Sequence, residues 1–133
     1  MMQIENFIDT PPLTTDFDIR LIKHRAGRIT LRLVARHQVV NIHLGVIGNI
    51  LDCAARVAGY TTIGNCVLSE CEVSIQNQVQ TKEFMVSVTI ANANQHIATF
   101  QCEIQCMVQR LKVLIAESHG TVIKLKTELP IVA

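Results

Sequence analysis

His43 and Asp52 stand nine residues apart in the segment His43-Leu44-Gly45-Val46-Ile47-Gly48-Asn49-Ile50-Leu51-Asp52. An imidazole and a carboxylate are the side chains most used for moving protons in a reaction. The segment follows a strand-like run and begins an apolar helix that continues through Cys53-Ala54-Ala55-Arg56-Val57-Ala58 to Gly59. A carboxylate in such a helix is costly to bury unpaired, and Asp has a poor intrinsic preference for a helix interior. Something must compensate. One compensation is structural: Arg56, four residues on, lies on the same helix face and can pair with it. The other is a reaction. For His43 the structural alternative is a residue that bonds backbone at a helix start.

The elements that would position these residues follow from periodicity. Val46, Ile47, Ile50, Leu51, Ala54, Val57 and Ala58 recur at helical spacing, and Cys53, Ala54 and Ala55 spread the apolar surface around the axis. A helix apolar almost all round is a buried one, and Gly59 is a suitable stop. Before it, Asp18 to Lys23 and Arg28 to Arg36 flank Ala26-Gly27. The second run alternates Ile29, Leu31 and Leu33 with Arg28, Thr30 and Arg32, which argues a hairpin with one wet face. After Gly64 everything reads as strand: Cys66 to Ile75, a polar break over Gln76 to Lys82, then Glu83 to Ala91. Asn92-Ala93-Asn94 supplies a turn, followed by Gln95 to Cys106 and a last run from Arg110 to Lys126. The sum is one central helix with about six antiparallel strands, an α+β domain. Such a helix is hidden on all sides only if the sheet curls around it or a second copy covers it. Thr10-Pro11-Pro12 breaks early structure, so residues 1–16 are expected to be a lead-in, 17–126 the domain and 127–133 a tail.

Composition narrows the classes of function. The 133 residues are 49% hydrophobic and 17% charged, with no Trp and a single Tyr. So aliphatic a chain suggests a subunit interface. A net charge of +1 and the lack of any run of Lys and Arg give no footprint for nucleic acid or a membrane surface. Met1 to Asp9 lacks the basic and apolar regions of a signal peptide, and no uncharged stretch reaches the roughly 18 residues of a membrane span. Cys53, Cys66, Cys71, Cys102 and Cys106 are odd in number, have no CxxC spacing and sit among aliphatic residues. They are expected to be free thiols in a reduced, cytoplasmic protein, with no metal site. His24, His96 and His119 are scattered through strands and turns, and nothing brings Ser118-His119 to Asp52 as a triad.

The order of elements resembles the hotdog fold, in which an antiparallel sheet wraps a long central helix and pairs with a second protomer. The local pattern is similar to acyl-CoA thioesterases of the phenylacetate-pathway type. In that family a His-Gly-Gly motif enters the helix, and an acid lies nine residues after the His, followed by small residues. Here His43-Leu44-Gly45, Asp52, Ala54 and Ala55 occupy those places, and Leu111 to Val122 is similar to the family's final strand. The resemblance spans roughly residues 17–126, with 43–52 its specific part. It implies hydrolysis of an acyl-CoA or acyl-carrier thioester. The amide of Leu44 or Gly45 would hold the thioester oxygen, and Asp52 would act as general base or nucleophile. His43 would fix the loop and the substrate.

It also implies a site shared across a dimer interface, which is how residues roughly 13 Å apart along a helix axis can serve one reaction centre. Leu44 stands where the family has its first Gly, and His37 where it often has an Asn that helps place the nucleophile. Ser69 and Glu70 are the nearest polar residues at the start of the following strand. The implied protein is a homo-oligomer, dimer or tetramer, without a metal or bound cofactor, CoA entering only as part of the substrate. The alternatives are a non-catalytic hotdog that binds an acyl ligand or serves in assembly, and a dehydratase or hydratase. The last resembles this chain less, because its His and acid lie farther apart along a Pro-rich motif.

Overall fold

A computed structural model describes residues 17–36, 40–41 and 44–125. The expected lead-in (1–16) and the whole of the expected tail (127–133) lie outside the described residues, as do His37 and His43.

The elements run β1 (Phe17–Arg25), β2 (Arg28–Ala35), β3 (Val40–Asn41), α1 (Leu44–Ile63), β4 (Cys66–Ile75), β5 (Gln80–Thr81), β6 (Glu83–Ala93), β7 (Ile97–Val108) and β8 (Leu111–Lys124). Six strands form one sheet in the order β1-β2-β6-β7-β8-β4, every neighbour antiparallel. The β1–β2 hairpin occupies one edge. After α1 the chain enters the opposite edge as β4, and β6, β7 and β8 fill the space between. The two-residue strands β3 and β5 pair separately, Val40 with Thr81 and Asn41 with Gln80.

Alternation decides which face of the sheet meets the helix. Ile29, Leu31, Leu33 and Ala35 of β2 are buried, as are Phe84, Val86 and Val88 of β6 and Ala98, Phe100, Cys102 and Ile104 of β7. They pack against Ile47, Ile50, Leu51, Ala54, Val57 and Ala58 of α1 in one cluster. A slip of one residue in any of these strands would turn its whole apolar set to water, so the register is strongly held. Phe17 meets Phe84 edge to face, centroids 5.3 Å apart, which ties β1 into the same core.

The helix departs from expectation at its end. Gly59 does not stop it; α1 runs on through Tyr60-Thr61-Thr62-Ile63. The stop is Gly64, at φ +85°, whose N–H donates to the Tyr60 carbonyl at 3.2 Å. Gly59 serves packing instead. A Cβ there would sit 2.7 Å from Cys66 Sγ and 2.8 Å from Val122 Cγ2, so only a residue without a side chain lets β4 and β8 approach.

Strand ends also shift. β6 continues to Ala93 through the stretch expected to turn, and the turn falls at Asn94, whose Oδ1 accepts the amides of His96 and Ile97 at 2.7 and 2.9 Å. The β7–β8 hairpin turns at Gln109-Arg110 with both residues at positive φ, 51° and 69°. Two such residues make the mirror-image turn that suits the twist of paired strands.

Candidate active site

The candidate site is a wet stripe on the helix. Gly45, Gly48 and Asn49 are exposed, and Asp52, Arg56 and Tyr60 are partly so. Their spacing of three to four residues puts them on one face. Toward the C-terminal end β4 closes over that face: the Cys66 thiol donates to the Arg56 carbonyl at 3.6 Å, and Gly59 and Ile63 are buried. The open part therefore covers the first three turns. Asp52 stands at its inner limit, with Leu51 and Cys53 buried on either side. Gly48 has nothing within 4 Å of where a Cβ would be, so the ground beside Asp52 is unobstructed.

Asp52 Oδ2 lies 3.2 Å from Arg56 Nη2, with the Asp52 side chain 48% exposed. Arg56 Nε also donates to the Asp52 carbonyl at 3.3 Å. The compensation anticipated for a carboxylate in this helix is thus present. It is weak, since an i,i+4 pair of this exposure contributes about 0.3–0.5 kcal/mol, so Asp52 is not committed to it energetically.

Leu44 opens the helix and Gly45 follows. The first amides of a helix lack intrahelical acceptors and sit at the positive end of its dipole. Among the described residues no acid occupies that first turn. The Gly45 amide is seven residues from Asp52, roughly 10 Å along the axis. A single carbonyl carbon cannot touch both from one copy of the helix.

Ser69 forms a bulge in β4, between the paired residues Leu68 and Glu70. Glu70 accepts from Thr121 Oγ1 at 3.4 Å, on the sheet face that looks away from α1. Ser118 is buried and its hydroxyl lies 2.8 Å from Cys71 Sγ, whereas the next residue, His119, is exposed and pairs with Glu72 at 3.3 Å. The two point to opposite faces, which removes a Ser118-His119-Asp52 triad on geometry. All five cysteines are free thiols. Burial pushes Cys53 and Cys66 up to about 11, and raises Cys102 and Cys106 as well. Those four are held as thiols at neutral pH, and a thiol is a poor nucleophile beside its thiolate.

Residues of the stripe that sequence reasoning passed over are Gly48 and Asn49. The signal was available: positions 45, 48, 49, 52 and 56 are small or polar at helical spacing in an otherwise aliphatic segment.

The sequence matches no model of a known protein family, and none of the curated proteins matches it. Solved structures do match. A thioesterase family protein from Silicibacter pomeroyi superimposes with a TM-score of 0.78 at 17% identity, over 90% of this chain and 92% of that one. The PaaI protein of the E. coli phenylacetic acid degradation operon gives 0.75 at 14% identity, over 92% and 89%. A hypothetical thioesterase of Streptococcus pneumoniae, solved with coenzyme A, gives 0.75 at 11% identity, over 91% and 95%. The chain has the hotdog fold. Its one-helix, six-strand architecture and its likeness to thioesterase-family structures agree with the hotdog order of elements read over residues 17–126. At these identities the likeness is one of fold. Among the described residues, no helix of this hotdog is long and apolar enough to cross a membrane.

Proposed function

We propose that this hotdog protein is a thioesterase that hydrolyses an acyl-CoA or acyl-carrier thioester to the free acid and the thiol. The observation that carries the reading is Asp52, a half-exposed carboxylate at the inner limit of an open stripe on a helix that is otherwise buried in its sheet.

In the proposed reaction Asp52 takes a proton from water as the water oxygen bonds to the thioester carbon. The negative charge on the carbonyl oxygen is held by the amide of Leu44 or Gly45 at the helix N-terminus. The C–S bond then breaks, the thiol leaves with a proton, and the carboxylic acid is released. Because the amide and Asp52 are roughly 10 Å apart on one helix, they must come from two copies packed helix to helix. The protein is therefore at least a homodimer, and Gly48 gives a second helix room to approach. His43 and His37 are proposed to steady the entry loop and the substrate. The reaction needs no metal or bound cofactor, and CoA enters only as part of the substrate. A reduced, cytoplasmic setting suits such a substrate and the five free thiols.

A second reading has one observation in its favour. The Asp52–Arg56 pair is what a merely structural acid would make, and a hotdog that binds an acyl ligand without hydrolysis would keep it. The experiment that separates the two follows loss of thioester by chromatography over a panel of acyl-CoAs, with Asp52→Asn alongside. Turnover by the natural chain and its loss in a folded variant support the thioesterase. A folded, oligomeric protein without turnover on CoA or carrier esters sinks it and leaves the binding module.

A further inference from the structure

Asp52 and Arg56 divide the helix stripe between them. Arg56 lies one turn beyond Asp52, at the end where β4 closes over the helix, and its carbonyl accepts from the Cys66 thiol at 3.6 Å. Its side chain is 23% exposed, against 48% for Asp52. The other cations that form ion pairs among the described residues, Arg20, Arg32 and His119, are each at least 43% exposed. Arg56 is thus the paired cation most withdrawn from water, and it supports an acid that stands on the open side of it. Acid before base at i,i+4 is also the better orientation for a helix.

The guanidinium meets Asp52 twice. Nη2 lies 3.2 Å from Oδ2, and Nε donates to the Asp52 carbonyl at 3.3 Å. Two contacts from one planar fork fix where the guanidinium lies, which a flexible ammonium cannot do. The carboxylate is held by one oxygen only. Among the described residues no side chain donates to Oδ1, and no other cation lies within ion-pair distance of Asp52. The terminal torsion of an untethered Asp is broad. With Oδ2 tied to Arg56, that torsion is restricted and Oδ1 is the oxygen left to accept a proton.

We infer that Arg56 is a positioning residue for hydrolysis: it fixes Oδ2 of Asp52 and leaves Oδ1 to draw the proton from the attacking water. The role rests on the thioesterase reading and adds a division of labour between the two oxygens. As the water oxygen bonds to the thioester carbon, the proton passes to Oδ1 while Oδ2 stays on the guanidinium. The proton then leaves with the sulfur when the C–S bond breaks. In the exposed helix the tether is weak, as a surface pair is. Once substrate and a second helix exclude water from the stripe, the same contact strengthens, because electrostatic interactions grow as the local dielectric falls. A misplacement of about 1 Å near a reaction centre can cost about 100-fold in rate. Arg56 therefore matters to turnover far more than to stability.

The test compares the natural chain, Arg56→Ala and Arg56→Lys in thioester hydrolysis, with the melting temperature of each. Arg56→Ala is expected to fold, to keep KM within about twofold and to lose at least about tenfold in kcat. Guanidinium ion below denaturing concentration is expected to restore part of that kcat, and potassium at the same ionic strength is not. Arg56→Lys keeps the charge without the fork, so its kcat is expected to fall between the two. Asp52→Asn, which lacks the base, should gain nothing from guanidinium. Full turnover in folded Arg56→Ala overturns the positioning role and leaves the thioesterase standing. A loss carried wholly by KM overturns it too, since Arg56 would then bind substrate. So does a loss that neither guanidinium nor Arg56→Lys recovers in any part, which assigns Arg56 to the fold. Should Arg56→Ala not fold, Arg56→Lys decides: natural kcat overturns the role, and reduced kcat at unchanged KM supports it. A natural chain that turns over no ester removes the thioesterase reading and this role with it.

Discussion

Asp52 and Arg56 meet at 3.2 Å on the one face of the central helix that the sheet leaves open. The pair links the structural and chemical readings of the site, because the same carboxylate can serve either. Exposure separates them: a pair this wet adds little to stability, whereas a general base contributes about 100- to 10,000-fold in rate. Asp52→Asn is therefore expected to keep its melting temperature within about 2 °C, corresponding to about 0.5 kcal/mol or less. Its thioesterase turnover should fall by at least about 100-fold. Calorimetry and a turnover assay on one preparation check both; full activity in the folded variant would remove Asp52 from the chemistry.

Gly59→Ala tests the packing that covers the C-terminal half of the helix. The new Cβ would press on Cys66 Sγ and Val122 Cγ2 at 2.7 and 2.8 Å, both on well-packed strands. Overpacking of this kind costs about 1–3 kcal/mol, although alanine is the better helix former by about 1 kcal/mol. The net expectation is a less stable protein in denaturant titration. A more stable variant would mean that β4 and β8 yield easily.

The Gln109-Arg110 turn is a place to gain stability. Both residues occupy left-handed backbone, at φ 51° and 69°, which costs a residue with a Cβ roughly 1–2 kcal/mol. Arg110→Gly removes that cost at one position and loses some chain entropy in return. A gain of about 1 kcal/mol is expected, read as a rise of roughly 3–5 °C in melting temperature.

The Arg32–Glu83 contact sets a small acid dependence. Arg32 Nε donates to Glu83 Oε1 at 2.6 Å, and this hydrogen bond and its charge hold the Glu83 carboxyl below its ordinary value. A depressed carboxylate stabilises the fold above its unfolded pKa, and the contribution is lost as the pH falls through the folded one. A small difference in unfolding free energy between the natural chain and Glu83→Gln is thus expected at neutral pH. It should shrink as the pH falls below the ordinary carboxylate range, about pH 4, and vanish once the depressed folded carboxyl is itself protonated. A difference that persists in acid would assign the effect to packing.

Local periodicity already determined which segments are helix and strand. Ile29, Leu31 and Leu33 alternate because one face of β2 is buried, and Ile47, Ile50, Leu51 and Ala54 recur as one side of a helix against that face. Asp52 was legible as well, since a carboxylate among aliphatic residues needs an explanation within its own segment.

What only the tertiary structure decided lies between segments distant in the chain. Gly59 looked like a helix stop, and it is a point of close approach because Val122 arrives from the far end of the sequence. The helix looked apolar all round, yet β4 covers its wet stripe only past Arg56, which leaves Gly48 and Asn49 open beside Asp52. The outer face brings together charges far apart in the chain: Arg32 meets Glu83, 51 positions on, because β2 pairs with β6. Side-chain period is a property of a few neighbouring residues; coverage and charge alignment depend on which strands pair, and that is settled by burial of the whole core.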